Sequence, residues 1–345
     1  MDHLYLLVLL SLVLFLPFFV RKVEEQMEYF LFAAGALAAT MASCWSPGLI
    51  YTAAVIPIKI SAAVLVCGTI FEIFAGRIGL MVGRISGRTG KPFFIFLTVI
   101  ILGLFSSVIT AIVAALILSE IISHINLPRD REIKIVVISC FAVGIGAVLT
   151  PLGEPLSTIV TGKLSGAPFN AGFMFLFRQF WAYSLSIIVL LAITAAFFTA
   201  SGKGSAERLK EDKREGFKSV AVRAFKVYVF VAGLVLLGAG FTPAMKTLVP
   251  GLSSYMLYWI NMVSAVLDNA TLAAAEISPA LTLLQLKSAM LGLIISGGML
   301  IPGNIPNIIC AGKLRIKAVE WAKIGVPAGL IILSLFFVVI IFINL

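Results

Sequence analysis

Residues 149–164 read LTPLGEPLSTIVTGKL, a stretch that a continuous membrane-buried helix has no ordinary reason to contain. Pro151, Gly153 and Pro155 each weaken or interrupt a helix, and they fall within five residues of one another. The ionisable Glu154 lies between them. Because backbone groups freed inside a membrane must find partners in the protein or in a water-filled cavity, such a break predicts a functional position.

The same pattern recurs in the second half of the chain. Residues 299–314 read MLIPGNIPNIICAGKL and align with the first stretch without a gap. Five of the sixteen positions are identical, including Gly153 with Gly303 and the closing Gly-Lys-Leu. Both stretches also carry proline and glycine at the end of an apolar run. Interrupted hydrophobic segments in corresponding halves of a chain are typical of the binding site of a secondary transporter.

The composition predicts an all-α polytopic membrane protein. Hydrophobic residues make up 61% of the chain and charged residues 12%, and a soluble core could not hide the apolar surface that the mean hydropathy of +1.10 implies. The net charge of +10 comes from basic residues in short segments between apolar runs. These residues act as orientation signals, so the lipid bilayer is the expected partner and no nucleic acid is expected.

Nothing in the sequence predicts an enzyme or a bound cofactor. The chain has no nucleotide-binding loop, and its two histidines are too far apart for a metal cluster and are not paired with a nucleophile. The four cysteines lie in apolar runs without CxxC spacing, so we expect small core residues rather than disulfide partners or metal ligands: Cys44, Cys67, Cys140 and Cys310.

The first half of the chain is expected to hold two N-terminal spans, within residues 1–48, and a first repeat, residues 49–199. Apolar runs long enough to span a bilayer alternate there with proline, glycine and basic clusters. The first repeat is predicted to contain, in order, an interfacial segment around Tyr51, a span at 58–75, a basic loop, a hairpin at 92–123, a broken helix at 132–164 and a span at 180–198.

The hairpin at 92–123 is expected to be re-entrant, entering and leaving the membrane on the cytoplasmic side. Its mostly apolar sequence exceeds the ~20 residues that span a bilayer, and a polar stretch, SSVIT at 106–110, lies at its centre. A single long tilted helix is the alternative. The positive-inside rule favours the hairpin, because basic residues flank both ends: Arg77, Arg84, Arg88 and Lys91 before it, and Arg129, Arg131 and Lys134 after it.

The second half is expected to repeat this order with the opposite orientation. A solvated cytoplasmic linker at 200–226 separates the halves. Only Lys246 and Lys287 flank the second hairpin, which places it on the extracytoplasmic side. The result is an inverted-topology repeat with both termini extracytoplasmic. The second repeat covers residues 227–345 and holds a span, a hairpin at 252–281, a broken helix at 283–314 and a last span.

The two hairpin tips and the two helix breaks are expected to meet near the middle of the bilayer. Glu154 lies in the first break and Asp268 at the second tip, while the aligned positions carry the neutral Asn304 and Thr110. No lysine or arginine falls in these four elements. Buried carboxylates without a basic partner favour a cation or a proton as ligand, so the Na⁺ candidates are Asp268, Glu154 and Asn304.

Neutral polar residues at the tips and breaks complete the predicted site. Each is expected either to bind the ion or to satisfy freed backbone groups, and the sequence leaves both roles open. These residues are Ser107, Thr110, Ser157, Thr158, Asn269, Thr271, Asn304 and Asn307. The acids have structural alternatives as well, since Glu154 could cap the following half-helix and Asp268 could pair with a neighbour. Three acids further from the tips are expected to snorkel or to line a vestibule: Glu72, Glu120 and Glu276.

Two of these motifs resemble a known superfamily. The segment SAVLDNATLAAA, residues 264–275, is similar to the hairpin motif of NhaD-type sodium/proton antiporters of the ion transporter superfamily, and TPLGEPLST, residues 150–158, resembles their TPIGD-like break. The chain from residue 58 onward resembles a prokaryotic family assigned to cation transport. This resemblance implies an inverted repeat with two hairpins and two broken helices, located in the prokaryotic inner (plasma) membrane.

The resemblance also implies ligand roles for Asp268, Asn269, Glu154, Asn304 and Asn307, and a homodimer formed through the outer spans. Both tips lack the paired Ser-Asn-Thr signature of the dicarboxylate-transporting branch. The leading hypothesis is therefore a cation/proton antiporter, with Na⁺ or another monovalent cation as the transported or coupling ion. The alternative is a Na⁺-coupled symporter of a small carboxylate or oxyanion. A channel or a membrane scaffold comes third, because neither needs a duplicated broken helix.

Overall fold

A computed structural model describes residues 2–20, 22–23, 26–125, 127–200, 217–248, 251–267 and 269–343. Over these residues the protein is helical and contains no strand. The fold is that of a multi-pass α-helical membrane protein, because several helices reach the ~20 apolar residues that a bilayer core requires. Among the described residues five helices are long and apolar enough to cross a membrane: Pro47–Phe74, Lys91–Ile109, Phe175–Ala200, Phe217–Pro243 and Ala318–Phe342.

The first half forms eight described helices. The predicted hairpin consists of two helices that meet at Thr110, and the predicted broken helix is interrupted between α6 and α7. The helices are α1 (Asp2–Phe19), α2 (Met27–Met41), α3 (Pro47–Thr89), α4 (Lys91–Ile109), α5 (Ala111–His124), α6 (Arg129–Ala147), α7 (Pro155–Lys163) and α8 (Phe175–Ala200).

The second half follows the same order with shorter helices around its tip. Its first hairpin arm is a short α-helix that continues as a 3-10 segment, Asn261–Ala265. A further 3-10 turn, Ile301–Gly303, lies within the second interruption. The α-helices are α9 (Phe217–Leu248), α10 (Ser254–Ile260), α11 (Asn269–Glu276), α12 (Leu283–Gly297), α13 (Ile305–Leu314) and α14 (Ala318–Ile343).

Helix α3 corrects the expectation for the segment before the first hairpin. The predicted basic loop is wrong, because one 43-residue helix runs from Pro47 to Thr89. The segment around Tyr51 belongs to the same helix, and its interfacial position stays a prediction. Pro57 lies inside this helix. The neighbouring helix supports the backbone there, since Tyr228 of α9 donates a hydrogen bond of 3.1 Å to the Ala54 carbonyl. At ~1.5 Å per residue, α3 is also longer than a bilayer is thick.

The boundary of the predicted linker changes as well. Helix α9 begins at Phe217 rather than at Val227, so residues 217–226 are helical and not a solvated loop. Apolar residues of this first part pack inward, because Val220 and Ala224 are buried. The central part of the predicted linker, residues 201–216, lies outside the described residues.

Helices α6 and α12 occupy the centre of the fold. Both are buried on all sides over most of their length. In α6 every residue from Glu132 to Ala147 is buried except Lys134. In α12 every residue from Leu286 to Gly297 is buried except Lys287. A helix that is apolar all round belongs in a protein interior. Each of these two central helices ends at one of the interruptions that the sequence predicted, so both breaks lie inside the protein.

The contacts between helices are reciprocal between the two halves. Helix α5 of the first half packs against α13 of the second, and α11 of the second half packs against α7 of the first. Helix α4 packs against α6 as α10 packs against α12, and α3 contacts α5 as α9 contacts α11. Corresponding helices therefore have corresponding neighbours, and the second helix of each predicted hairpin packs against the short helix that follows the break in the opposite half.

Candidate ion-binding site

The two helix breaks occupy identical positions in the aligned stretches. Helix α6 ends at Ala147 and α7 begins at Pro155, which leaves a first break at residues 148–154. Helix α12 ends at Gly297 and α13 begins at Ile305, which leaves a second break at residues 298–304. Each break is seven residues long and begins at the same aligned position. The gapless sequence match thus corresponds to a match in backbone structure.

Aligned side chains bridge each break. The hydroxyl of Ser157 donates to the Val148 carbonyl at 3.2 Å and to the Ala147 carbonyl at 3.5 Å. The Asn307 amide nitrogen donates to the Gly297 and Leu300 carbonyls, both at 2.8 Å. Ser157 and Asn307 are both fully buried. Of the two roles that the sequence left open, both residues perform the structural one, since they satisfy carbonyls that the ended helix leaves without partners.

A second aligned pair attaches each tip to the central helix of its own half. The Ser106 hydroxyl donates to the Val143 carbonyl at 2.9 Å, and the Ser264 hydroxyl donates to the Leu293 carbonyl at 2.8 Å. Both serines are fully buried. The sequence alignment of the hairpins pairs these two serines, although neither was among the predicted site residues.

The first tip is bonded directly to the first break. Thr110 joins α4 to α5 with a positive φ of 77°, and its hydroxyl accepts a 3.4 Å hydrogen bond from the Val113 N–H. The next residue, Ala111, donates its N–H to the Gly153 carbonyl at 2.9 Å. The Thr150 hydroxyl donates to the Ser107 carbonyl. The tip and the break are therefore joined by hydrogen bonds into one unit. Thr150, which takes part in it, was not among the predicted site residues.

The glycines of the breaks are required by close backbone approaches. A Cβ atom at Gly303 would lie 2.6 Å from the Gly297 carbonyl oxygen and 2.7 Å from the Ser264 carbonyl oxygen. At Gly153 a Cβ atom would overlap the Ala147 carbonyl group, whose carbon would be 2.7 Å away. Only glycine lets these backbones approach so closely. The identity of these two positions in the sequence alignment therefore has a steric cause.

Glu154 and Asn304 hold the same position at the ends of the two breaks. Each is the residue before a half-helix, with extended backbone, and neither side chain makes a capping hydrogen bond. The alternative in which Glu154 caps α7 through its carboxylate is therefore wrong. The two side chains are 6% and 5% exposed. Both lie at the positive end of a half-helix dipole, where a negative group or ligand is favoured.

Three asparagines gather at the second break. The Asn304 amide nitrogen contacts Gly144 on α6, which brings the second break to within one turn of the first. The Asn269 amide nitrogen lies 3.5 Å from where a Cβ of Gly297 would be. Within the described part of the chain, the buried Asn269 Nδ2 and Asn307 Oδ1 have no hydrogen-bond partner. The second break thus presents one free donor and one free acceptor that a ligand can satisfy.

The remaining predicted residues divide into three groups. The Ser107 hydroxyl is occupied by the Leu104 carbonyl at 2.8 Å, and exposed Thr158 donates to the Pro151 carbonyl at 2.6 Å, so both serve the backbone. Thr271 packs against Gly238 of α9. Asp268 lies outside the described residues, and its predicted role stays a prediction.

Sequence reasoning missed an ion pair between the halves. The Lys313 ammonium at the end of α13 contacts the Glu120 carboxylate on α5, and His124 Nδ1 lies 3.6 Å from the same carboxylate. Lys313 also lies 5.5 Å from the Phe71 ring centroid. Glu120 is buried and does not snorkel, while the vestibule alternative for it stays a prediction. The aligned Lys163 makes the reciprocal contact, donating to the Ala274 and Ile277 carbonyls at the end of α11. The Gly-Lys-Leu sequence that recurs at 162–164 and 312–314 was the feature from which a shared role of the two lysines could have been predicted.

The buried central helices, the two breaks and the apolar outer helices define a multi-pass helical membrane protein with an interrupted, polar centre. Its family follows from a comparison with family models. The model described as protein of unknown function DUF1646 matches residues 3–343, so the chain belongs to the DUF1646 family. No curated protein matches the chain.

Proposed function

We propose that the protein is a secondary active transporter that exchanges a monovalent cation for protons. Na⁺ is the leading candidate for this cation. The observation that carries this proposal is a buried carboxylate, Glu154, in one of two aligned seven-residue breaks inside the fold. A break exposes carbonyl groups that can replace the hydration shell of a cation, and an acid inside a membrane protein is functional by default.

The chemistry needs a site that holds either a cation or a proton. The Glu154 carboxylate and the oxygens of Asn304 and Asn307 are hard oxygen ligands of the kind that small cations prefer. A proton on the carboxylate removes its charge and its affinity for the cation. One site that alternates between the two occupants performs exchange. Asp268 is the second carboxylate of this proposal, on the strength of its sequence position at the second tip.

We place this site in an inverted repeat whose two helix pairs, α4 with α5 and α10 with α11, are re-entrant hairpins. The reciprocal packing of α5 on α13 and of α11 on α7 supports this, since a two-fold relation produces exactly matched neighbours of this kind. Transport then follows from an elevator-like or rocking motion of the hairpins and broken helices against the other spans. The inner-membrane location and the homodimer belong to the proposal through the family resemblance, and the extracytoplasmic termini belong to it through the distribution of basic residues.

A Na⁺-coupled symporter of a small carboxylate or oxyanion is the second candidate. The observation that favours it is Asn269, whose buried amide nitrogen is a donor without a hydrogen-bond acceptor in the described residues. Donors of this kind bind anions, whereas a bare cation cannot use them. In this alternative the breaks hold Na⁺ and the tips hold the anion.

Two substitutions separate these candidates. In liposomes that contain a pH dye, we expect Glu154→Gln and Asp268→Asn each to reduce cation-driven proton movement to the level of protein-free liposomes, because neither amide can carry the exchanged proton. Glu72→Gln is the matched control, since this half-buried acid lies on α3 away from both breaks, and its activity should equal that of the wild type. An Asp268→Asn variant that retains or increases labelled dicarboxylate uptake under a Na⁺ gradient would instead support the symporter.

A further inference from the structure

The last part of α3, residues 75–89, extends beyond the stretch of that helix that is long and apolar enough to cross a membrane, Pro47–Phe74. At ~1.5 Å per residue it adds ~22 Å to the helix. Large apolar side chains are nevertheless exposed along it, since Leu80 is 72% exposed and Met81 is 57% exposed. Apolar side chains exposed in such close succession indicate a surface that contacts lipid or another apolar partner.

Three arginines lie on one face of the same segment. Arg77, Arg84 and Arg88 follow one another at spacings of seven and four residues, which places them on the same side of a helix. All three are exposed. The sequence contains no aspartate or glutamate from residue 73 to residue 119, so this segment and α4 carry positive charge only. Arginines interspersed with large apolar residues are typical of a helix surface at a membrane interface.

A cavity of about 370 Å³ lies between this segment of α3 and the first helix pair, α4 with α5. Its walls are mostly apolar side chains, among them Phe71 and Ile85 of α3, Ile101 of α4 and Ile117 of α5. Ile85 and Ile101 are exposed, whereas Ile117 is half-buried. The cavity therefore opens outward between α3 and α4, and α5 closes it on the inner side. Its volume lies in the range of ~300–1,000 Å³ that is typical of ligand sites.

The polar groups that line the cavity are engaged inside the protein. The Thr98 hydroxyl donates to the Phe94 carbonyl at 2.8 Å, and the Glu120 carboxylate pairs with Lys313. The rest of the described wall is hydrocarbon. Such a cavity suits an apolar ligand, because filling it removes apolar surface from water without breaking a polar contact.

The shape and charge of the cavity match a lipid chain attached to an anionic headgroup. Its lining runs along α3 from Phe71 to Ile85, or ~21 Å, and half of the hydrocarbon core of a bilayer is ~15 Å thick. At the Phe71 end the charges of Glu120 and Lys313 cancel. The Ile85 end lies next to the arginines at 84 and 88. Among the described side chains, uncompensated positive charge is thus found at the Ile85 end.

We propose that this cavity binds one acyl chain of an anionic phospholipid, whose phosphate group lies against Arg84 and Arg88. Guanidinium groups bind phosphate through paired, charge-assisted hydrogen bonds. The acyl chain carries no charge and fills the apolar space below the headgroup. A zwitterionic phospholipid has the same chain, but its own ammonium group weakens its attraction to the arginines. The site therefore selects anionic headgroups.

A lipid at this position contacts α3, α4 and α5 together. It holds the outer helix against the first helix pair, next to the ion pair between Glu120 and Lys313 that joins the two halves. The lipid site goes beyond the proposed exchange function and does not depend on it, and it can be detected without any transport.

The test is native mass spectrometry of the full chain purified in detergent, with dioleoyl phosphatidylglycerol and dioleoyl phosphatidylcholine added in equal amounts. Detergent displaces loosely held lipids from the outer surface, so a lipid in the cavity is the one retained. We expect one phosphatidylglycerol per chain, retained about fivefold or more over phosphatidylcholine, which is the preference that ~1 kcal/mol per basic residue gives. Equal retention of the two lipids would overturn the proposal. So would a lipid-free protein, and a lipid-free dimer would point to a second copy of the chain on this face.

A double variant tests the headgroup contact. Arg84→Gln combined with Arg88→Gln should abolish the preference for phosphatidylglycerol, and the fold should be kept because both side chains are exposed. The matched control is Lys317→Gln combined with Lys323→Gln, which removes the same charge from exposed positions outside the cavity. That control should bind both lipids as the wild type does. An unchanged preference in the arginine variant would contradict the assigned headgroup position.

A cavity-filling variant tests the position of the chain. Ile117→Trp occupies the space that the acyl chain needs, so we expect it to lose most of the retained lipid of either kind. Ile331→Trp is the matched control, because it adds the same ring at an exposed position of α14 that does not line the cavity. Wild-type retention by a folded Ile117→Trp protein would contradict the cavity as the chain site. If this variant does not fold, the arginine variant still decides the proposal.

Discussion

Gly146→Ala is expected to destabilise the protein by about 3 kcal/mol or more, at or above the upper end of the usual cost of overpacking a core. Gly146 of α6 faces Gly103 of α4, and a Cβ atom there would overlap the Gly103 carbonyl oxygen and lie 2.6 Å from its carbon. These are backbone atoms, so no side chain can rotate away. The two helices would have to separate, which would also break the hydrogen bond from Ser106 to Val143. The gain of ~1 kcal/mol in helix propensity cannot offset this.

The measurement is thermal unfolding of both proteins in detergent micelles. Gly162→Ala is the matched control, because Gly162 lies in α7 and a Cβ atom there would meet nothing within 4 Å. That variant should be neutral or slightly stabilised. A Gly146→Ala protein that unfolds at the wild-type temperature would show that α4 and α6 do not approach as closely as described.

Lys313→Met is expected to cost about 3–5 kcal/mol, the usual range when one partner of a buried ion pair is removed. Glu120 is buried and 13% of the Lys313 side chain is exposed, and the pair joins α13 to α5 across the two halves. Methionine keeps most of the side-chain volume but leaves the Glu120 carboxylate buried, with His124 at 3.6 Å as its other cationic neighbour in the described residues. The loss should exceed that for Lys163→Met, because the Ala274 and Ile277 carbonyls that Lys163 binds are neutral acceptors, which hold an ammonium less strongly than a carboxylate does.

A double-mutant cycle isolates the pair. Adding Glu120→Gln to Lys313→Met removes the stranded charge, so the double variant should regain most of the lost stability in detergent. Equal and additive losses in the two single variants would mean that the two side chains do not interact. The cycle also separates the ion pair from the contact between Lys313 and the Phe71 ring, which both Lys313 variants lose alike.

The breaks were the part of the fold that the sequence predicted best. Proline and glycine act on the backbone locally, so PLGEP at 151–155 and PGNIP at 302–306 predict a helix interruption independently of their tertiary surroundings. The gapless alignment also paired Ser157 with Asn307 before either could be seen to bridge its break. The local signal could not tell whether such a side chain binds a ligand or a carbonyl, because both roles need the same polar groups.

The ends of α3 and α9 were not predictable in the same way. Basic residues after residue 75 suggested a loop, but arginine is a good helix former, and exposed positions of a long helix accommodate it. Pro57 lies inside α3, where a neighbouring helix can satisfy the backbone near it. In both places tertiary contacts and solvent exposure determine where the helix ends. A single sequence does not give either of them.

The buried acids show the same limit more sharply. Glu120 and its partner Lys313 are far apart in the chain, and the sequence around either residue does not predict its contact with the other. Distance from the tips suggested that Glu120 and Glu276 reach water, whereas packing between the halves encloses both. That a lysine pairs with Glu120 therefore follows from helix packing alone.

Exchange of a cation for protons can be measured directly on purified wild-type protein in liposomes with an internal pH dye. Na⁺, Li⁺ or K⁺ is added outside in turn. We expect the interior to change pH when the transported cation is added, with Na⁺ most effective, and we expect the response to saturate with concentration. No proton movement with any of the three cations would contradict the proposed exchange.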